Sequence, residues 1–234
     1  GEENLNHSIE NLEYAFVDAI RSLTQTKVEK IAFLEGHGEL DERYVYDLTQ
    51  ALAQYYQIDR GTLGLQTGVL DGYKVVIIAD PQTAFSETDK YILDQYLMQG
   101  GSILWVVNGV QFSDDYLSSE GMTPIVALDL NINDMLFRYG VRVNHGLVQD
   151  LQCLPVPVDV SQDESQPNWQ PMPWTYATLL LTSQVSPITR NVAQVRATMA
   201  SAVDMVGGED GLKKEVLLAT SSASKLTGVP AKVD

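Results

Sequence analysis

Three features of this sequence predict an α/β fold with an open, mostly parallel sheet flanked by helices. Val75–Ala79 and Ile103–Val107 are unbroken apolar runs, the pattern of strands buried on both faces. A third run, Lys30–Leu34, stops abruptly at the glycine-rich turn Glu35-Gly36-His37-Gly38-Glu39. Stretches with apolar residues spaced by three and four separate the runs, so strand, turn and helix recur three times.

Taken in order, residues 1–26 read as an amphipathic helix, with Ile9, Leu12, Phe16, Ile20 and Leu23 on one side and Glu10, Glu13, Asp18 and Arg21 on others. Such a helix either packs on the domain or leads from something upstream, such as a membrane anchor. The α/β domain is expected over 27–220. After its first strand, residues 40–55 read as a helix presenting Tyr44, Leu48, Leu52 and Tyr55. Ser86-Glu87-Thr88-Asp89 resembles a capping box with Asp in the last place, opening a helix that ends at Gly100-Gly101. Residues 114–123 read as a polar loop, 128–139 as a helix with Leu130, Met135 and Leu136 inward, and 141–148 as a strand. The stretch 154–173 holds five prolines and reads as an irregular excursion. Glu215–Thr220 is a last strand candidate, and 221–234 reads as an exit linker.

Composition narrows the function classes. The 234 residues carry a net charge of −16, with 15 Lys+Arg against 31 Asp+Glu, so phosphate-rich partners such as nucleic acid are repelled. Hydrophobic residues make up 44% of the chain, enough for a core without a disulfide or metal staple. The single Cys153 forms no internal disulfide and has only His145 near it in sequence, so it reads as a small apolar residue rather than a nucleophile. No apolar run approaches the roughly 20 residues a bilayer demands. The chain opens on Gly1 and reads as an excised soluble fragment. Asn6-His7-Ser8 fits a glycosylation sequon of low specificity.

Ligands of an open parallel sheet bind beyond the carboxyl ends of its strands. Those ends here offer Glu35, His37 and Glu39, then Asp80 and Gln82, then Asn108. These six are the candidate ligand-binding residues. An imidazole between carboxylates suits Zn or Mn, yet the spacing lacks any HExxH or paired-Cys pattern, and no metal or cofactor is expected. Gly36 and Gly38 read as turn glycines, since neither GxGxxG spacing nor a P-loop lysine accompanies them. No GxSxG elbow is present. Trp169 and Trp174, with Tyr176, form a candidate interface or stacking platform.

A family resemblance follows from longer segments. Phe33-Leu34-Glu35-Gly36-His37-Gly38-Glu39-Leu40, Val76-Ile77-Ile78-Ala79-Asp80-Pro81-Gln82 and Phe85-Ser86-Glu87-Thr88-Asp89-Lys90-Tyr91 carry it first. Asp94–Gly101, Leu104–Val107, Leu136–Asn144, Thr189-Arg190 and Leu217–Ser221 continue it in the same order. Together they resemble the soluble extracytoplasmic domain of GldG-type, gliding-motility-associated ABC transporter components, within an uncharacterised ABC transport auxiliary family. The resemblance implies a periplasmic domain of a membrane-anchored protein, its membrane segments lying outside this sequence, that works with permease and ATPase subunits and a possible small-molecule or glycan ligand. It also implies a flavodoxin-like, class I glutamine-amidotransferase-like sheet, as in an intraflagellar-transport protein. The amidotransferase Cys-His-Glu set is not matched, because no Cys follows a strand. The favoured expectation is therefore a non-catalytic binding domain. A hydrolase or transferase using Glu35, His37, Glu39 and Asp80 is the first alternative, and a purely structural scaffold the second.

Overall fold

The chain forms two units, one built on parallel strands and one on antiparallel strands. The structure, a computed structural model, describes residues 12, 14–21, 23–24, 27–113, 121–161, 168–207 and 211–233. Residues 1–81 and 87–106 belong to the first unit, and 82–86 and 107–234 to the second. The Asn6 sequon, the start of the N-terminal helix and most of the 114–123 loop lie outside the described residues.

The first unit begins with helix α1 (residues 14–21). Strand β1 (Lys30–Leu34) leads into a 3-10 turn (Glu42–Val45) and helix α2 (Tyr46–Ala53). Then come β2 (Gln57–Gly61), β3 (Tyr73–Ala79), α3 (Glu87–Met98) and β4 (Ser102–Val106). The four strands pair in parallel in the order β2-β1-β3-β4. In the register, Ile77 lies between Phe33 and Leu104. Ile31, Phe33, Ile77 and Ala79 share a core with Val45 of the 3-10 turn, and Leu52 and Tyr56 pack against it. Val76 and Ile78 point to the opposite face by the two-residue alternation and are fully buried. Helix α3, packed along β4, buries Ile92, Leu93 and Tyr96.

Two expectations change here. Tyr44 and Leu48 are exposed, and Val45 and Thr49 are buried in their place. Asp41 Oδ1 accepts the Arg43 N–H and starts the segment as a 3-10 turn, whose three-residue winding rotates the apolar face by about one position. Strand β2 was not expected, because Gln-Ile-Asp-Arg-Gly has little apolar content. It is an edge strand, and an edge needs only its half-buried Ile58, opposite Ile31, for anchorage.

The second unit contains β5 (Val110–Gln111), β6 (Thr123–Ala127), α4 (Asn133–Arg138), β7 (Val141–Asp150) and β8 (Cys153–Asp159). It continues through β9 (Trp169–Thr182), β10 (Val195–Thr198), β11 (Ser201–Met205), β12 (Leu218–Ala219), β13 (Ser224–Gly228) and β14 (Ala231–Val233). Every pairing is antiparallel, in the orders β10-β9-β12 with β8 also on β9, β11-β7-β13, and β14-β6-β5. Val110, Ile125, Leu147, Met199 and Val233 form its core. The fold is thus mixed α/β, and the expectation of a mostly parallel sheet holds only for the first four strands.

The proline-rich stretch is also more regular than expected. Pro155 faces Pro173 and Pro157 faces Pro171 across the β8–β9 ladder. A hydrogen-bonded antiparallel pair needs both N–H groups, so opposed prolines occupy the alternate, non-bonded pairs and leave the ladder intact. Residues 224–228 and 231–233, within the segment read as an exit linker, add strands to β7 and β6.

Asp150 ties β13 to β7. Buried at the end of β7, its carboxylate accepts the Ser221 N–H at 2.7 Å, the Ser221 hydroxyl at 2.5 Å and the Gln152 N–H at 2.9 Å. Burial works against the charged form, but these donors outweigh it and hold the carboxyl below its ordinary value of 3.8. A lowered folded value stabilises the fold above the unfolded value, and that contribution fades as pH falls through the folded one. Asp150→Ala is therefore expected to cost about 2–4 kcal/mol near neutral pH, through lost charge-assisted bonds and an unsatisfied Ser221 N–H. Urea unfolding should show the gap to wild type narrowing below pH 4 or so. In the first unit, Phe33→Ala should cost about 3–5 kcal/mol in the same assay, as a cavity opens at the centre of the sheet.

Candidate functional site

Glycine conformation shapes the turn after β1. Gly36 and Gly38 have φ of 112° and 75°, which a side chain would strain, so the chain reverses within two residues and carries Glu35, His37 and Glu39 to the sheet's carboxyl edge. Leu40 N–H then bonds the Ala79 carbonyl, which fixes the turn beside the end of β3.

The polar side chains at this edge are occupied by one another. Glu39 accepts the His37 backbone N–H at 2.7 Å and lies 3.2 Å from His37 Nδ1. His37 Nε2 faces Asp89 of α3 at 3.4 Å. The imidazole is buried with a carboxylate at each nitrogen. Glu35 accepts Arg60 Nε–H at 2.7 Å, and Arg60 also donates to the Leu40 carbonyl and lies over the Phe33 ring. Arg60 Nη1 is buried without a hydrogen-bond partner among the described residues. Asp80, at the end of β3, has φ of 54°, a conformation uncommon for a non-glycine residue, and its N–H donates to the Val106 carbonyl.

Of the six candidate ligand-binding residues, Glu35, His37, Glu39 and Asp80 belong to the first unit. Gln82 and Asn108 belong to the second. Asn108 Nδ2 donates to the Met199 carbonyl and its Oδ1 accepts the Ser201 hydroxyl, so the side chain pins β11. Two residues were missed from the sequence. Arg60 sits on the unrecognised strand β2, and Asp89, read only as part of a helix cap, reaches His37. The hydrophobic Ile58 beside Asp59-Arg60-Gly61 was the one sequence signal for β2. Among the described residues no cluster of three or more His, Cys, Asp or Glu has metal-binding geometry.

The candidate interface tryptophans separate in role. Trp174 packs against the second unit's core and meets Tyr176 edge-on at 6.0 Å, whereas Trp169 is exposed at the start of β9. Cys153 is a half-buried free thiol in β8.

Open space lies elsewhere. In the first unit a cavity of about 230 Å³ opens near Tyr73 and Gly101, at the amino ends of β3 and β4, away from the His37 turn. In the second unit a cavity of about 420 Å³ is lined by Val148, Leu180, Ala202, Val203, Val216 and Leu218. It lies along β11 and β12, the outer strands of their sheets, and its walls are mostly apolar.

The model of the ABC-type uncharacterized transport system family matches residues 29–234, from the start of β1 through β14. The chain belongs to that family. The membership gives it a transport-associated role alongside other ABC transporter components. No curated protein matches the chain significantly. Among solved structures it is similar to the mmIFT52 N-terminal domain, at 20% identity and a TM-score of 0.57. That likeness covers 86% of this chain and 77% of the other and concerns the fold alone. For this family member, no helix among the described residues is long and apolar enough to cross a membrane.

Glu39→Ala removes the acceptor of both the His37 N–H and Nδ1. It is expected to destabilise the first unit by about 1–3 kcal/mol in thermal or urea unfolding, the cost of buried polar groups left unpaired.

Proposed function

We propose that this family member is a non-catalytic, GldG-type periplasmic domain of an ABC transport system, which binds partner subunits or a ligand rather than transforming one. The observation that carries this reading is the state of the β1 turn. His37, Glu39, Asp89, Glu35 and Arg60 pair with one another and with backbone groups, the arrangement of a braced turn, with Arg60 Nη1 the one buried polar atom left over among them. A general base needs to reach a proton on substrate, and both ring nitrogens of His37 already face carboxylates. Cys153, the sequence's single thiol, lies in an antiparallel strand rather than on a strand-to-helix turn.

Binding has better support in the second unit, where the apolar cavity along β11 and β12 offers room for a small ligand or a short partner segment. Family membership supplies the partners' class, and the motif order quoted above supports the GldG-type, gliding-motility assignment and the periplasmic placement.

Affinity capture of the full-length protein from its native membranes tests the reading. The permease and ATPase subunits are expected in stoichiometric amounts, and the Glu35→Ala, His37→Ala and Asp80→Ala proteins should capture them to the extent their stability allows. Recovery of the full-length protein without either subunit overturns it. So does a hydrolytic or transfer activity of the purified chain that His37→Ala abolishes while the fold remains intact.

A further inference from the structure

The cavity of about 420 Å³ in the second unit is walled by strand edges rather than strand faces. Successive residues of a strand point to opposite sides, so a face contributes every second residue to a space beside it. Here residues 200–203 line the cavity in unbroken succession, and so do residues 218–220. Strand β11 is the outer member of the sheet β11-β7-β13, and β12 is the outer member of β10-β9-β12.

The hydrogen bonds show which backbone groups these edges leave over. Val148 N–H donates to the Ala200 carbonyl and Val206 N–H to the Gly140 carbonyl, so the even-numbered residues from 200 to 206 turn their backbone toward β7. Ser201 and Val203 turn theirs outward. On β12, Ser183 N–H donates to the Leu217 carbonyl, which leaves the Leu218 backbone turned away from β9. Among the described residues, no ladder or loop bond takes up the outward groups of Val203 and Leu218. No lining side chain is charged or aromatic, and the hydroxyls of Thr178 and Ser201 already donate to the Ala197 carbonyl and to Asn108 Oδ1.

We propose that this cavity takes an extended polypeptide segment of a partner protein, which adds as a strand to the outer edge of β11 and lies alongside β12. The proposal rests on the binding reading above and gives the second unit's ligand its class. An extended peptide alternates N–H and C=O groups as the edge does, and its small apolar side chains meet the apolar walls. A hydrocarbon of the same size covers the Val203 and Leu218 backbone without bonding it, which costs free energy for each group covered. A sugar or nucleobase finds no ring to stack on, and an ion finds no opposite charge. A second copy of the chain brings its own net charge of −16 against the first.

The β8–β9 ribbon supplies the contrast. Pro155 and Pro157 on one strand, and Pro171 and Pro173 on the other, occupy the positions whose N–H groups would point outward. Those edges are closed to strand addition, the common protection of an exposed edge. The β11 edge carries no proline, and no charge along 201–203.

Panning a phage-displayed heptapeptide library on the purified 1–234 chain supplies the probe. The enriched sequence, labelled with fluorescein, is titrated by anisotropy in its plain form and with its backbone nitrogens methylated. Val203→Pro deletes one outward N–H and leaves the β7 ladder intact. Both changes are expected to weaken binding by roughly tenfold or more, with the circular-dichroism spectrum of the Val203→Pro protein unchanged. Should that variant fail to fold, the methylated peptide on the wild-type chain decides alone. A library that enriches nothing overturns the proposal, as does an enriched peptide indifferent to both changes. A chain that binds dodecanol instead, and loses it in Ala202→Trp, overturns it in favour of a hydrocarbon. A chain that dimerises in sedimentation equilibrium, and is made monomeric by Val203→Pro, overturns it in favour of a second copy. Permease and ATPase recovered by the full-length protein while no peptide is enriched leave the transport reading standing and sink this one.

Discussion

The first unit depends on one constraint: β3 has no solvent-facing side along Val76-Ile77-Ile78. A strand sealed on both faces needs a helical layer on each, which parallel strands acquire because their connections cross over the sheet. The 3-10 turn and α2 close the face that holds Phe33 and Ile77, and α3 runs along β4. Polar chemistry is thereby displaced to the strand ends. The turn after β1 follows from this, since every polar residue there lies at the margin of a dry sheet and must find a partner within reach. Glu39, Asp89 and Arg60 are those partners for His37 and Glu35.

The second unit solves the same problem without helices on its scale. Its strands pair antiparallel, and its core is built from single residues of β5, β6, β7 and β14 with Met199 between β10 and β11. A sheet of that kind tolerates short and interrupted strands, including prolines. It also leaves apolar side chains at its margins, and the cavity along β11 and β12 lies at such a margin. The two units therefore differ in what they offer a partner: the first presents braced polar turns, the second an apolar recess.

The sequence made β1, β3, α3 and β4 legible because buried parallel strands are continuous apolar runs and the intervening helix ends on glycines. β2 was hidden by its composition, since an edge strand needs only Ile58 inward and the rest reads as loop. The antiparallel half was mostly illegible for a different reason. Its strands are half-exposed, so their signal is an alternation that prolines at 155, 157, 171 and 173 disguise as a loop. For the site, spacing indicated correctly that the Glu35–Glu39 turn ends a strand, and the glycines' positive φ agrees with their reading as turn residues. What each side chain bonds to was not legible, because Arg60 and Asp89 reach the turn from distant points in the chain. Trp174 shows the same limit, since an aromatic in a proline-rich stretch reads equally as a platform for a partner or as the plug of a core edge until its strand and neighbours are known.

The pairing of β14 with β6 has a consequence for how the protein is made. Val233 is fully buried in the second unit's core, and its strand joins residues 123–127 across more than a hundred positions. As the chain emerges from its amino end, the first unit holds all its strands once residue 106 has appeared, before most of the second unit has. The second unit cannot complete its core until residues 231–233 have also emerged. Until then one edge of β6 is open, and an open strand edge is a template for pairing with another strand. Synthesis is thus ordered by topology, with a finished α/β half waiting on a β half that closes last.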